Sequence, residues 1–118
     1  MNIRLFKPSF GREELDSVKK AMDRSWVGLG PRVNEFESKW KDHLNCKSAY
    51  ALNSATAALH LAPAVFRFNK GKKVLVPSMT FSSTASAVLY NDLIPVFVDS
   101  NPITLGIDIN DLEKKYDN

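Results

Sequence analysis

The 118-residue chain has one cysteine, Cys46. A single thiol closes no internal disulfide, so nothing in the cysteine count points to an oxidising compartment. Long apolar runs are also missing. The longest, Ala57 to Phe66, is interrupted by His60 and Pro63 and is too short to span a bilayer. Met1 to Phe10 holds no apolar stretch of the kind a secretory signal needs. Charge of one sign is scarce as well: 16 Lys and Arg stand against 13 Asp and Glu, for a net charge of +3. The densest basic cluster, Lys70, Lys72 and Lys73, has no interleaved aromatics and reads as a solvated turn rather than a nucleic-acid surface. No Gly-x-Gly-x-x-Gly follows a strand, and phosphate-loop, Gly-x-Ser-x-Gly and zinc spacings are absent. What remains is ordinary: 44% hydrophobic and 25% charged residues, in a length that suits one soluble domain with a modest core.

Periodicity supplies the elements. Leu15, Val18 and Met22 recur at helical spacing over about Arg12 to Arg24, with Glu13 and Glu14 in the first turn and basic residues near the end. A second helix begins at Pro31, a favoured first position, and Val33, Phe36, Trp40 and Leu44 form its apolar stripe. Between the two lies Trp26-Val27-Gly28-Leu29-Gly30-Pro31, a loop carrying a large aromatic. From Ser48 the pattern alternates. Ser48 to Leu52 reads as a strand, Ala57 to Phe66 as a buried helix, and Val74 to Val76 as a strand covered on both faces. Phe81 to Tyr90 then reads as a helix and Ile94 to Val98 as a strand. This order predicts an α/β domain with mainly parallel strands. Asp108 or Asn110 caps a last short helix carrying Leu112 and Tyr116, and the chain ends soon afterwards, as though cut within its fold.

Two turns between strand and helix are rich in hydroxyls: Asn53-Ser54-Ala55-Thr56, and Ser78-Met79-Thr80 with Ser82 to Thr84 after it. Helix N-termini present free N–H groups and a partial positive charge, which suits a phosphate. Ala55 is small enough for an anion to approach the backbone, and the Thr56 hydroxyl offers one more hydrogen bond. A single such turn caps a helix more often than it binds a ligand. Phe81 either stacks on a planar ring or belongs to a core. Trp26 either lines a pocket or plugs the domain. His60, among apolar neighbours, reads as a core histidine rather than a metal ligand, and no second His or Cys has metal spacing. Asp99 ends a strand, where it reads a ribose or caps the next turn.

Four stretches in order carry a resemblance. They are Trp26 to Pro31, Asn53 to His60, Val76-Pro77-Ser78-Met79-Thr80-Phe81-Ser82-Ser83-Thr84, and Pro95-Val96-Phe97-Val98-Asp99. Together they resemble the start of the DegT/DnrJ/StrS aminotransferases, enzymes of the aspartate-aminotransferase fold that use pyridoxal phosphate. Most of them aminate keto groups of nucleotide-linked sugars. The resemblance implies that Ala55 and Thr56 bind the cofactor phosphate, that Phe81 stacks on its pyridine ring, and that Gly28, Leu29, Gly30 and Pro31 face the sugar-nucleotide side of the pocket. It implies a nucleotide-sugar substrate, an amino-acid amino donor, a homodimer, a cytoplasmic location, and no nucleic-acid or membrane partner. It also implies that the chain is the N-terminal portion of the large, cofactor-binding domain, incomplete by itself, with a helical segment over 1–47 and a strand-helix unit over 48–118. The Schiff-base lysine would then lie beyond Asn118, leaving no catalytic residue in the chain.

The family pattern is not matched everywhere. Ala55 stands where Gly is commoner, Pro63 interrupts a helix that is normally Leu- and Ala-rich, and Arg67, Lys72 and Lys73 replace Gly, Asp and Glu. Two other readings accompany the aminotransferase: a sugar dehydratase of the same family, and a non-catalytic remnant or binding module. The resemblance further predicts that Val74 to Val76 pairs in parallel with Ile94 to Val98, while Ser48 to Leu52 pairs with neither.

Overall fold

The computed structural model describes residues 6–26 and 28–116. Two compact units divide the chain, Met1–Ala51 and Leu52–Asn118. In the first unit, α1 spans Arg12–Asp23 and α2 spans Pro31–His43. Gly11 has no side chain to cap α1, and its own N–H instead donates to the Glu14 carboxylate at 2.7 Å. That bond holds the Glu14 pKa below its ordinary value. Proline at the first position of α2 costs nothing, because the N–H it lacks would have had no acceptor within the helix. Phe36 and Trp40 stack on the α2 stripe with ring centroids 5.9 Å apart.

The second unit is a small α/β assembly. Helix α3 (Ala55–Phe66) precedes β1 (Lys73–Pro77), α4 (Ser83–Leu89), β2 (Ile94–Val98) and α5 (Ile109–Tyr116). β1 and β2 pair in parallel, in register from Lys73 opposite Ile94 to Pro77 opposite Val98. The ladder extends at both ends, through Gly71 N–H to Asp92 O at 2.8 Å and Ser78 N–H to Val98 O at 2.8 Å. Val76, Val88 and Leu93 form the core cluster, with Ala87 and Val98 also buried. It lies where α4 covers the strand pair.

Ser48 to Leu52 corrects the sequence reading: it forms no strand. A strand needs a neighbouring ladder, and the Ala51 N–H donates instead to the Glu37 carboxylate of α2 at 2.8 Å. The described sheet thus holds the parallel pair, with Ser48 to Leu52 outside it, as the resemblance implies. Helix α3 is a second correction. It begins at Ala55, two residues earlier than read, and has no buried residue, with Val65 and Phe66 largely exposed. Apolar composition shows that a helix seeks cover, and the packing against α4 gives it that on one side only. Pro63 lies inside α3, which runs through it unbroken. His60 is exposed rather than a core residue, its ring 5.5 Å from that of Tyr90. Asn91 ties the two helices together, donating to His60 O at 3.0 Å and Ala87 O at 2.8 Å.

Asp108 supplies the cap of α5, accepting from the N–H groups of Asn110 and Asp111. A side-chain latch then holds α5 on β2. The Asp111 carboxylate accepts from Asp99 N–H at 2.8 Å and from Lys115 Nζ at 2.7 Å, and Lys115 also donates to Phe97 O at 2.8 Å. The Asp99 N–H, then the Lys115 ammonium, hold the Asp111 pKa below its ordinary 3.8. A depressed carboxyl pKa stabilises the fold above the unfolded value, and that contribution is lost as pH falls through the folded one. In the holoenzyme containing this chain, amide exchange of the segment around Asp99, corrected for intrinsic rate, is therefore expected to be slower with native Asp111 than in Asp111→Asn at neutral pH. The two should converge at a pH below 3.8. A difference that persists at all acid pH values would show that the latch does not depend on ionised Asp111.

Candidate functional site

The two hydroxyl-rich turns behave differently once folded. At the first, Ser54 is the N-cap of α3, in extended conformation (φ −162°, ψ 157°), and its Oγ accepts from Ala57 N–H at 3.2 Å. The Ala58 N–H reaches Ser54 O at 3.3 Å. In an α-helix the first N–H groups have no carbonyl a turn earlier to bond. The cap satisfies the third, so the N–H groups of Ala55 and Thr56 keep no acceptor among the described residues. Both residues are exposed. The positive end of the helix dipole adds to these donors, and the Thr56 hydroxyl stands beside them. This arrangement can hold an anion.

At the second turn the hydroxyls are occupied with one another. Thr80 Oγ1 lies 3.0 Å from Thr84 Oγ1, and Ser78 Oγ lies 3.3 Å from Ser100 Oγ, which ties the end of β1 to the segment after β2. Ser82, at the N-cap of α4, makes no side-chain cap bond. Such pairing serves structure. Phe81, between these hydroxyls and α4, is 77% exposed and is therefore not a core aromatic. Its ring face is open to a planar ligand. Ala55, Thr56 and Phe81 thus all belong to the second unit, on or next to helices that pack together.

Gly28, Leu29, Gly30 and Pro31 lie in the first unit. Gly28, Gly30 and Pro31 border a cavity of about 570 Å³ whose walls include Met22 and Trp26, with Arg24 and Arg32 also lining it. Trp26 is therefore a pocket wall rather than a plug. It is 60% exposed, and its Nε1–H donates to Leu29 O at 2.8 Å. Val27 lies outside the described residues. Asp99 contributes its backbone, donating to Asp111 and accepting from Asp108 N–H. Among the described residues no group of three or more His, Cys, Asp or Glu is placed to hold a metal ion, and no helix is long and apolar enough to cross a membrane.

The profile of the DegT/DnrJ/EryC1/StrS aminotransferase family matches residues 8–117. The chain belongs to this family. Among curated relatives of the DegT/DnrJ/EryC1/StrS chain is dTDP-4-dehydro-2,3,6-trideoxy-D-glucose 4-aminotransferase of Saccharopolyspora spinosa. It is 37% identical over 114 residues, which cover 95% of this chain and 30% of that protein. The aminotransferase TlmJ of Streptoalloteichus hindustanus superposes with a TM-score of 0.79 at 28% identity, over 97% of this chain and 32% of that one. The E. coli GDP-4-keto-6-deoxy-D-mannose-3-dehydratase with bound hydrated PLP superposes with a TM-score of 0.87 at 25% identity, over 96% of this chain and 31% of that one. The chain thus spans about 30% of the length of the curated relatives it matches. Its α/β architecture is that of the DegT/DnrJ/EryC1/StrS enzymes.

Sequence reasoning did not anticipate the Trp26–Leu29 bond or the Asp111–Lys115 latch. The spacing of Asp111 and Lys115, four apart on a helix, is a signal for their mutual pair, but not for their reach to β2.

Proposed function

We propose that the chain is the N-terminal part of a pyridoxal-phosphate-dependent aminotransferase acting on a nucleotide-linked keto sugar. The observation that carries this reading is the start of α3, where Ala55 and Thr56 present two N–H donors without acceptors among the described residues. The donor set fits the cofactor: two amides, one hydroxyl and a helix dipole for a phosphate, and an exposed Phe81 face for a pyridine ring. The N–H groups of Ala55 and Thr56 and the Thr56 hydroxyl hold the phosphate, which fixes the cofactor at one end. Phe81 covers one face of the ring and keeps water from it. Gly28, Leu29, Gly30 and Pro31 border the sugar. When bound, pyridoxal phosphate supplies the electron sink that lets an amino group move between an amino-acid donor and the keto sugar. The lysine that holds the cofactor aldehyde, and the rest of a cytoplasmic homodimer, belong to the remainder of the protein. Biosynthesis of surface polysaccharide or of antibiotic sugars is the setting that fits such a product.

A dehydratase of the same family is the second reading, favoured by the close superposition of the solved dehydratase. The holoenzyme containing this chain, given glutamate and a nucleotide-linked 4-keto sugar, separates the two. Transfer of nitrogen to the sugar, followed by mass spectrometry with 15N-glutamate, is the expected result. Loss of water from the sugar without nitrogen gained would assign the dehydratase, and no change in either sugar or glutamate would overturn both.

A further inference from the structure

Gly30 immediately precedes α2 with φ −172° and ψ −162°. That is extended backbone, open to any residue, so conformational freedom does not account for a glycine there. Space does. A Cβ built on Gly30 would fall onto Trp26 Nε1 and lie 2.5 Å from its Cδ1 and 2.9 Å from its Cε2. The indole already fills the volume that a side chain at 30 would need. Its Nε1–H is fixed at the same time to Leu29 O at 2.8 Å. Gly28, two residues earlier, has nothing within 4 Å of a built Cβ. The contact is therefore particular to Gly30, and it ties Trp26 across the chain to the two residues in front of Pro31.

We propose that Trp26 is a positioning residue for substrate. Its indole, seated on the bare α-carbon of Gly30 and bonded to the Leu29 carbonyl, holds Gly28 to Pro31 in the shape that meets the nucleotide-linked sugar. The same indole, with Gly28, Gly30 and Pro31, forms wall of the cavity of about 570 Å³ beside the loop. Swinging it away changes both the loop and that wall. Trp26 acts through the loop and moves no proton. This inference rests on the assignment of Gly28 to Pro31 to the sugar side.

The test is steady-state kinetics of the holoenzyme containing this chain, with a nucleotide-linked 4-keto sugar as varied substrate. Gly30→Ala pushes the indole out, and Trp26→Leu removes it. Each is expected to raise KM about fivefold or more while kcat stays within about twofold and cofactor affinity is unchanged, the pattern of a lost binding geometry. Trp26→Phe keeps the ring without the donor and is expected to fall between native and Trp26→Leu. The decisive variant is the double one. With the indole gone, the three atoms nearest to a methyl group at position 30 are gone with it, so Trp26→Leu/Gly30→Ala is expected to be no worse than Trp26→Leu alone. Losses that multiply in the double variant would overturn the clamp, as would an unchanged KM in Trp26→Leu. Gly28→Val, which places a branched side chain directly in the loop, separates this failure from that of the underlying assignment. If Gly28→Val raises KM while Trp26→Leu does not, the clamp alone is wrong. If neither moves KM, the loop does not meet the sugar.

Discussion

Alone in dilute buffer, the 118-residue chain is expected to bind a hydrophobic dye strongly and to sediment as self-associated species. The described core consists of Val76, Ala87, Val88, Leu93 and Val98. Against it stand large exposed apolar side chains: Val65 at 75%, Phe66 at 72%, Phe81 at 77% and Ile103 at 89%. Each buried side chain of this size contributes about 1.5–3 kcal/mol, and ordering one residue of backbone costs about 1–2 kcal/mol. So few buried groups leave little net stability. The described sheet is a single parallel pair, and among the described residues the outer sides of 74–77 and Ile94–Val98 have no further strand beside them. Unpaired strand edges and contiguous apolar surface both promote association. Sedimentation velocity with dye fluorescence reads the outcome. A dye-free monomer with a sharp, cooperative melt would show that the chain covers its own apolar faces.

The second large effect concerns cofactor affinity. In the holoenzyme containing this chain, Thr56→Val is expected to weaken pyridoxal-phosphate binding about 10- to 100-fold, because it removes a hydrogen bond to a charged phosphate worth about 1.5–3 kcal/mol. Phe81→Leu retains apolar contact and loses mainly the aromatic share, about 0.5–1.5 kcal/mol, or roughly 2- to 10-fold. Equilibrium titration of the two apoproteins with cofactor decides the order. If Phe81→Leu costs more than Thr56→Val, the phosphate sits at some other turn.

Local signals were the most legible part of the fold. Pro31 marks the start of α2, the hydroxyl-rich stretch from Asn53 to Thr56 contains the cap of α3, and the apolar run Ile94–Val98 coincides with β2. Each is a property of a few neighbouring residues. The misreadings are tertiary. Ser48 to Leu52 has strand composition, but the chain satisfies the Ala51 N–H with Glu37, fourteen residues away. The run in α3 reads as buried because it is apolar, while burial depends on what packs against it. The candidate site divides in the same manner. Ala55 and Thr56 are proposed from cap chemistry together with the family resemblance, and the fold leaves their N–H groups without acceptors among the described residues. Gly30 reads from sequence as a loop breaker, yet the folded chain needs a glycine there because an indole four residues earlier occupies the space. No spacing rule announces such a contact.

Amide hydrogen exchange of the holoenzyme with and without pyridoxal phosphate, read at single-residue resolution, tests the phosphate cradle most directly. The N–H groups of Ala55 and Thr56, which have no acceptor within the helix, should exchange quickly without cofactor and become strongly protected with it. Protection confined to the Ser78 to Thr84 turn, with Ala55 and Thr56 unchanged, would contradict it.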